Sequence, residues 1–147
     1  MAKNGPKIQM VVVVVDDDCN QLDLMERLMK EILPELAFVR LDSGKELLEY
    51  VDKVVAGLSP YPNLLMIDIN MQEVSGFEAL EAIRKQKPFE KVPRIVMVSS
   101  SIDQKRREMS LKLGANEVLE KPFGLTEWRG AIRAIFEREQ ILQKGAI

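Results

Sequence analysis

Five side chains in this sequence could together handle a phosphoryl group and a metal: Asp16, Asp17, Asp68, Ser99 and Lys121. Asp16 to Asp18 follow five valines, and adjacent carboxylates at a buried strand end resist joint ionisation unless a cation sits among them. A hard divalent ion such as Mg2+ removes that penalty, taking one or two carboxylates and keeping waters. Asp68 could act as a nucleophile toward phosphorus, with the metal offsetting charge during transfer. Ser99 could hydrogen-bond one phosphoryl oxygen, and Lys121 could pair with another as a compact point charge. Each residue also has a plainer reading. An acid after a strand caps the next helix, which is the favoured reading for Asp18, while Ser99 could be a turn residue and Lys121 a solvated one. Their order and shared placement at strand ends favour the joint reading.

Four apolar runs must position these groups: 11–15 before the three acids, 64–67 before Asp68, 95–98 before Ser99, and Val118 with Leu119, which reach Lys121 through Glu120. Short Val- and Ile-rich runs separated by helical periodicity predict buried parallel strands, and ligands of such sheets bind beyond the carboxyl ends. A fifth, brief strand is expected around 38–41. Five helices are expected between and after the strands. Leu22, Met25, Leu28, Met29, Ile32 and Leu33 mark the first, closed by Pro34. Ser43 with Glu46, and Ser75 with Glu78, read as capping boxes for the second and third. Ser101 or Asp103 could cap a fourth carrying Met109 and Leu113 and stopping at Gly114, and Thr126 a fifth with Trp128, Ile132, Ile135 and Phe136 on one face. Strands alternating with helices predict a doubly wound α/β architecture. The segment 57–63, with two prolines and a glycine, reads as a surface loop.

The chain of 147 residues predicts a single domain over 1–147, with a core about 8–140 and fraying at 143–147. A net charge of −2 gives no basic footprint for nucleic acid. No stretch approaches a membrane span and the first residues lack a secretory apolar core, so the expected location is cytoplasmic, with no membrane partner. One cysteine and no histidine exclude an internal disulfide and leave a structural zinc site without ligands. They also exclude phosphohistidine chemistry within the chain.

The series Asp16, Asp17, Asp68, Ser99 and Lys121, with Lys121-Pro122-Phe123 and Leu113-Gly114-Ala115-Asn116, resembles the receiver domain of two-component response regulators, over about 11–135. The resemblance implies a flavodoxin-like sheet of order 2-1-3-4-5. It implies that Asp68 is the phosphoacceptor, that Asp16 and Asp17 hold Mg2+ together with Asp68 and the Asn70 backbone carbonyl, and that Ser99 and Lys121 contact the phosphoryl group. It implies a sensor histidine kinase or histidine phosphotransfer protein as donor, an unidentified downstream protein as target, a monomer or dimer, and no enzyme activity beyond self-catalysed phosphotransfer and autodephosphorylation.

Departures from the family pattern bear on the switch. Val118 stands where the family places an aromatic, Ser100 where it places a small alanine, and Met71-Gln72 where Met-Pro is frequent; 57–63 is the expected insertion. The family's output face, formed by the fourth helix, fifth strand and fifth helix, would carry Lys105, Arg106 and Arg107, read as a solvated helix face rather than a dedicated docking site. Two alternatives compete. One is a phosphorylation-silent receiver-like interaction module. The other, ranked lower, is a haloacid-dehalogenase-type phosphatase with Asp16 as nucleophile and Asp18 as acid–base; Asn20 and the absence of a later acidic pair speak against it.

Overall fold

The computed structural model describes residues 9–91 and 93–141; the fraying expected at 143–147 lies outside them. Strands β1 (Val11–Val15), β2 (Ala37–Leu41), β3 (Leu64–Asp68), β4 (Arg94–Ser99) and β5 (Glu117–Glu120) alternate with helices α1 (Cys19–Ile32), α2 (Gly44–Val55), α3 (Gly76–Arg84), α4 (Gln104–Lys112) and α5 (Leu125–Arg138). The sheet is wholly parallel in the order β2-β1-β3-β4-β5, as expected.

Strand periodicity divides the core in two, because successive side chains point to opposite faces. Val11, Val13, Val15, Leu65, Ile67, Ile95 and Met97 pack with Leu47 and Val51 of α2 and Leu80 and Ile83 of α3. Val12, Val14, Leu64, Met66, Val96 and Val98 pack with Leu22, Met25, Leu28 and Met29 of α1 and Trp128, Ile132, Ile135 and Phe136 of α5. Burial on both faces is why these strands read as unbroken apolar runs.

Local signals set most helix starts. Asp18 accepts from the backbone N–H groups of Asn20 and Gln21, and Ser75 with Glu78 forms a reciprocal capping box. The box expected at Ser43 is half made: Ser43 accepts from Glu46 N, but Glu46 reaches past it to the N–H of Asp42. Asp103, not Ser101, caps α4. The cap of α5 is Gly124 at φ 87°, not Thr126, which lies inside the first turn; the left-handed backbone there favours glycine. Helix α4 departs most from expectation. Its one fully buried residue is Ser110, while Met109 and Leu111 are exposed.

The loop at 57–63 closes on its neighbours. Tyr50 Oη donates to Pro60 O, Tyr61 stacks on Phe89 with ring centroids 5.1 Å apart, and Asn63 Oδ1 accepts from Val11 N at 2.8 Å.

Candidate functional site

Four strands deliver carboxylates, a hydroxyl and an ammonium to one edge of the sheet. Asp16 follows the last residue of β1, Asp68 ends β3, Ser99 ends β4 and Lys121 follows β5. Asp16 is 4%, Asp68 6% and Ser99 0% exposed, whereas Asp17 is open to solvent. One carboxylate oxygen from each of Asp16, Asp17 and Asp68 falls within 4.8 Å of the others. Two buried acids and one open one, all hard oxygen donors, suit a divalent cation that keeps part of its water shell.

Backbone and ammonium donors hold the acids in place. Asp16 Oδ1 accepts from Asp18 N at 2.9 Å and Asp68 Oδ1 from Asn70 N at 3.0 Å. The second oxygens face Lys121, whose Nζ lies 3.0 Å from Asp16 Oδ2 and 3.4 Å from Asp68 Oδ2. Lys121 is in turn fixed by its backbone N–H, which donates to Ser99 O at 2.8 Å. Burial pushes the Asp68 carboxyl above its ordinary pKa, against the pull of Lys121 and the Asn70 N–H, and the charge of Asp16 adds to the rise. Burial alone would lower the Lys121 pKa; the carboxylates of Asp16 and Asp68 outweigh it and the net shift is upward. The lysine therefore stays charged, and Asp68 is a carboxylate short of compensating charge.

Ser99 faces a different set of partners. Its Oγ accepts from Asn70 Nδ2 at 3.1 Å and from Ser101 N at 3.3 Å, and donates to Ser101 O at 3.2 Å. Asn70 thereby touches both Asp68, through its backbone, and Ser99, through its side chain. Asp18, by contrast, turns its carboxylate to the start of α1, leaving the acid–base role of the phosphatase reading unsupported.

Three contributors escape a reading of the sequence. Trp128 and Gln21 line a narrow cleft beneath Asp16, Asp68 and Lys121, and Gln21 Nε2 is the one buried side-chain polar atom without a hydrogen-bond partner among the described residues. Trp128 showed only as a member of an apolar face, and Gln21 carried no signal. Gly76 is the third close neighbour: its N–H donates to Ile69 O at 2.9 Å, and a Cβ there would lie 2.7 Å from Ile69 Cα and against Asp68 O. Only glycine lets the loop after β3 fold back onto the strand end this closely.

Comparison with known proteins agrees with this fold. The response regulator ARR7 of Arabidopsis thaliana is 29% identical over 133 residues, covering 87% of this chain and 63% of that protein. The chain spans between 13% and 63% of the length of the first curated relatives it matches. Among solved structures, the phosphorylated cyanobacterial phytochrome response regulator RcpA superposes with a TM-score of 0.81 at 20% identity, covering 95% of this chain and 98% of that one. The Mn(2+)-bound form of response regulator Rcp1 gives 0.75 at 21% identity, covering 94% and 98%. At these identities the two structures establish a shared fold. Residues 12–133 match the response regulator receiver domain, and with the acidic pocket of Asp16, Asp17 and Asp68 at the carboxyl edge of a 2-1-3-4-5 sheet, the chain belongs to that family.

Proposed function

We propose that the chain works as a receiver that takes a phosphoryl group from the phosphohistidine of a sensor kinase or phosphotransfer protein onto Asp68. The observation that carries this reading is the placement of Asp68: buried, undercompensated, and 3.4 Å from an ammonium that also holds Asp16. A carboxylate so placed gains more from acquiring charge-neutralising neighbours than a solvated one does.

In the transfer, an Asp68 oxygen forms a bond to phosphorus as the bond from phosphorus to the donor imidazole nitrogen breaks. The electron pair stays on that nitrogen. Lys121 presents fixed positive charge to the incoming phosphoryl oxygens, and Ser99 can turn its hydroxyl from Ser101 O toward one of them. Asp16, Asp17, Asp68 and the Asn70 carbonyl would hold Mg2+, which when bound offsets negative charge at the acceptor. Water later cleaves the acyl phosphate to inorganic phosphate and restores the carboxylate. No turnover of an external substrate is part of this scheme. Action in the cytoplasm, with output through protein contact, completes the reading.

A small phosphodonor with Mg2+ tests it. One phosphoryl group should appear by intact mass on the wild-type chain and none on Asp68→Asn. Sustained hydrolysis of phosphate esters would instead favour the phosphatase, and absence of any adduct or beryllofluoride binding would favour the silent module, which Val118 suggests.

A further inference from the structure

Val118 is half-buried against the core and has no ring to swing between an inward and an outward position. A second route leads from the site to α4. Ser99 Oγ donates its single hydrogen to Ser101 O. The same carbonyl accepts from Arg106 Nη1 at 2.8 Å, and the next N–H, of Ile102, donates to Glu120 Oε1 at 3.0 Å. Glu120 pairs with Ser99 in the β4–β5 register and precedes Lys121. Arg106 is knitted into α4: its N–H donates to the Asp103 cap at 2.8 Å and its carbonyl accepts from Ser110 Oγ at 2.9 Å.

The far end of α4 is held independently. Arg84 Nε of α3 donates to Gly114 O at 3.0 Å and its Nη2 to Asn116 Oδ1 at 3.2 Å. Between these two attachments only Ser110 is fully buried, so little packing resists a tilt about the Gly114 end.

We propose that Arg106 and Glu120 are positioning residues that transmit the state of Asp68 to α4, substituting for an aromatic at Val118. The inference rests on the phosphoacceptor reading. When the Ser99 hydroxyl turns to a phosphoryl oxygen, Ser101 O loses that donor and keeps Arg106 as its charged one. The loop then shifts with Ser99, and the N-terminal turn of α4 follows through Arg106, while Glu120 anchors Ile102 and sets the limit of travel. A hydroxyl with one proton cannot serve both acceptors, which makes the two arrangements discrete.

The test uses beryllofluoride with Mg2+ on the full chain. Retention is read by 19F NMR and the α4 response by hydrogen–deuterium exchange over 101–108, as the ratio of rates with and without the ligand. The wild type should bind and show a severalfold change. Arg106→Ala, at a half-buried position outside the acidic pocket, should bind equally while its ratio falls to about one; Arg106→Lys, which still donates to Ser101 O, should restore part of the response. Glu120→Ala should alter the ratio and Glu120→Gln, whose amide oxygen still accepts from Ile102 N, should not. An undiminished ratio in Arg106→Ala at full occupancy overturns the relay alone. No retention by the wild type overturns the phosphoacceptor reading and the relay with it.

Discussion

The Lys121 ammonium sits closer to Asp16, at 3.0 Å, than to Asp68, at 3.4 Å. Asp68, the candidate nucleophile, is thus the less fully compensated of the two buried acids. Lys121→Met would leave both without a cation. Breaking a buried pair from one side costs about 3–5 kcal/mol, and the figure here should fall below that because solvent borders the site on the side of the exposed Asp17. An acid whose folded pKa is raised destabilises as pH climbs through the carboxylate range, so the stability gap between variant and wild type should narrow from pH 7 to pH 5. Urea unfolding at both values without divalent ions checks this; a constant gap would refute it.

Gly76→Ala and Gly130→Ala should act with opposite signs. At Gly76 the added methyl meets backbone at Ile69 and Asp68, and overpacking of this kind costs about 1–3 kcal/mol. The displaced strand end should also slow phosphoryl uptake by Asp68. At Gly130, inside α5, a Cβ meets nothing within 4 Å, and alanine should stabilise by about 0.5–1 kcal/mol with unchanged uptake. Thermal unfolding and phosphodonor labelling of the pair provide the comparison.

Glu139, just past α5, is buried, with Arg94 Nη1 at 3.7 Å. Burial, followed by its hydrogen bond with Glu117 and that residue's charge, raises its pKa from 4.5 to about 7. The folded chain keeps a proton the unfolded chain has released, so stability should decline as pH rises from about 4.5 to about 7 and level off above. The loss is at most about 1.4 kcal/mol for each pH unit of that window. Burial would raise Glu117 as well, but its hydrogen bonds with Glu139 and Arg138 bring it below its ordinary value; that contribution is lost only below about pH 4.5. Glu139→Gln should flatten the decline in melting temperature between pH 5 and 7, and persistence of the slope would assign it elsewhere.

Gln21→Leu should be neutral or stabilising, by up to about 1 kcal/mol, because the buried Nε2 has no partner to lose. A destabilisation beyond about 1 kcal/mol in chemical unfolding would mean that this amide is satisfied in solution, for instance by a water in the cleft.

The strand ends were legible because parallel strands buried on both faces leave unbroken apolar runs, and a polar residue closing such a run stands out. Asp16, Asp68, Ser99 and Lys121 were therefore visible as neighbours before any coordinates, and the faces of α1 and α5 followed from spacing. Helix α4 was the least legible: of the two apolar residues its spacing marks, Leu113 packs partly buried against the core while Met109 is exposed, and within the helix only Ser110 is fully buried. The α5 cap was missed because the positive φ of Gly124 arises from how the chain leaves β5, while Thr126 offers the usual capping chemistry two residues too late. Nothing local marks the Glu117–Glu139 pair or the orphaned amide of Gln21, since each depends on which segments the sheet order brings together, and the grip of Arg106 on Ser101, though it spans only five residues, depends on how the loop after β4 bends back.

The sparse burial of α4 also bears on how this chain can diversify. Residues that fill a core are tied to their neighbours' shapes, but Lys105, Arg107, Met109 and Leu111 are exposed, so substitutions there escape that constraint as long as the two ends stay attached. Such a helix can acquire a new partner preference by surface changes alone, and lineages carrying this scaffold can rewire what they address without first rebuilding how they fold.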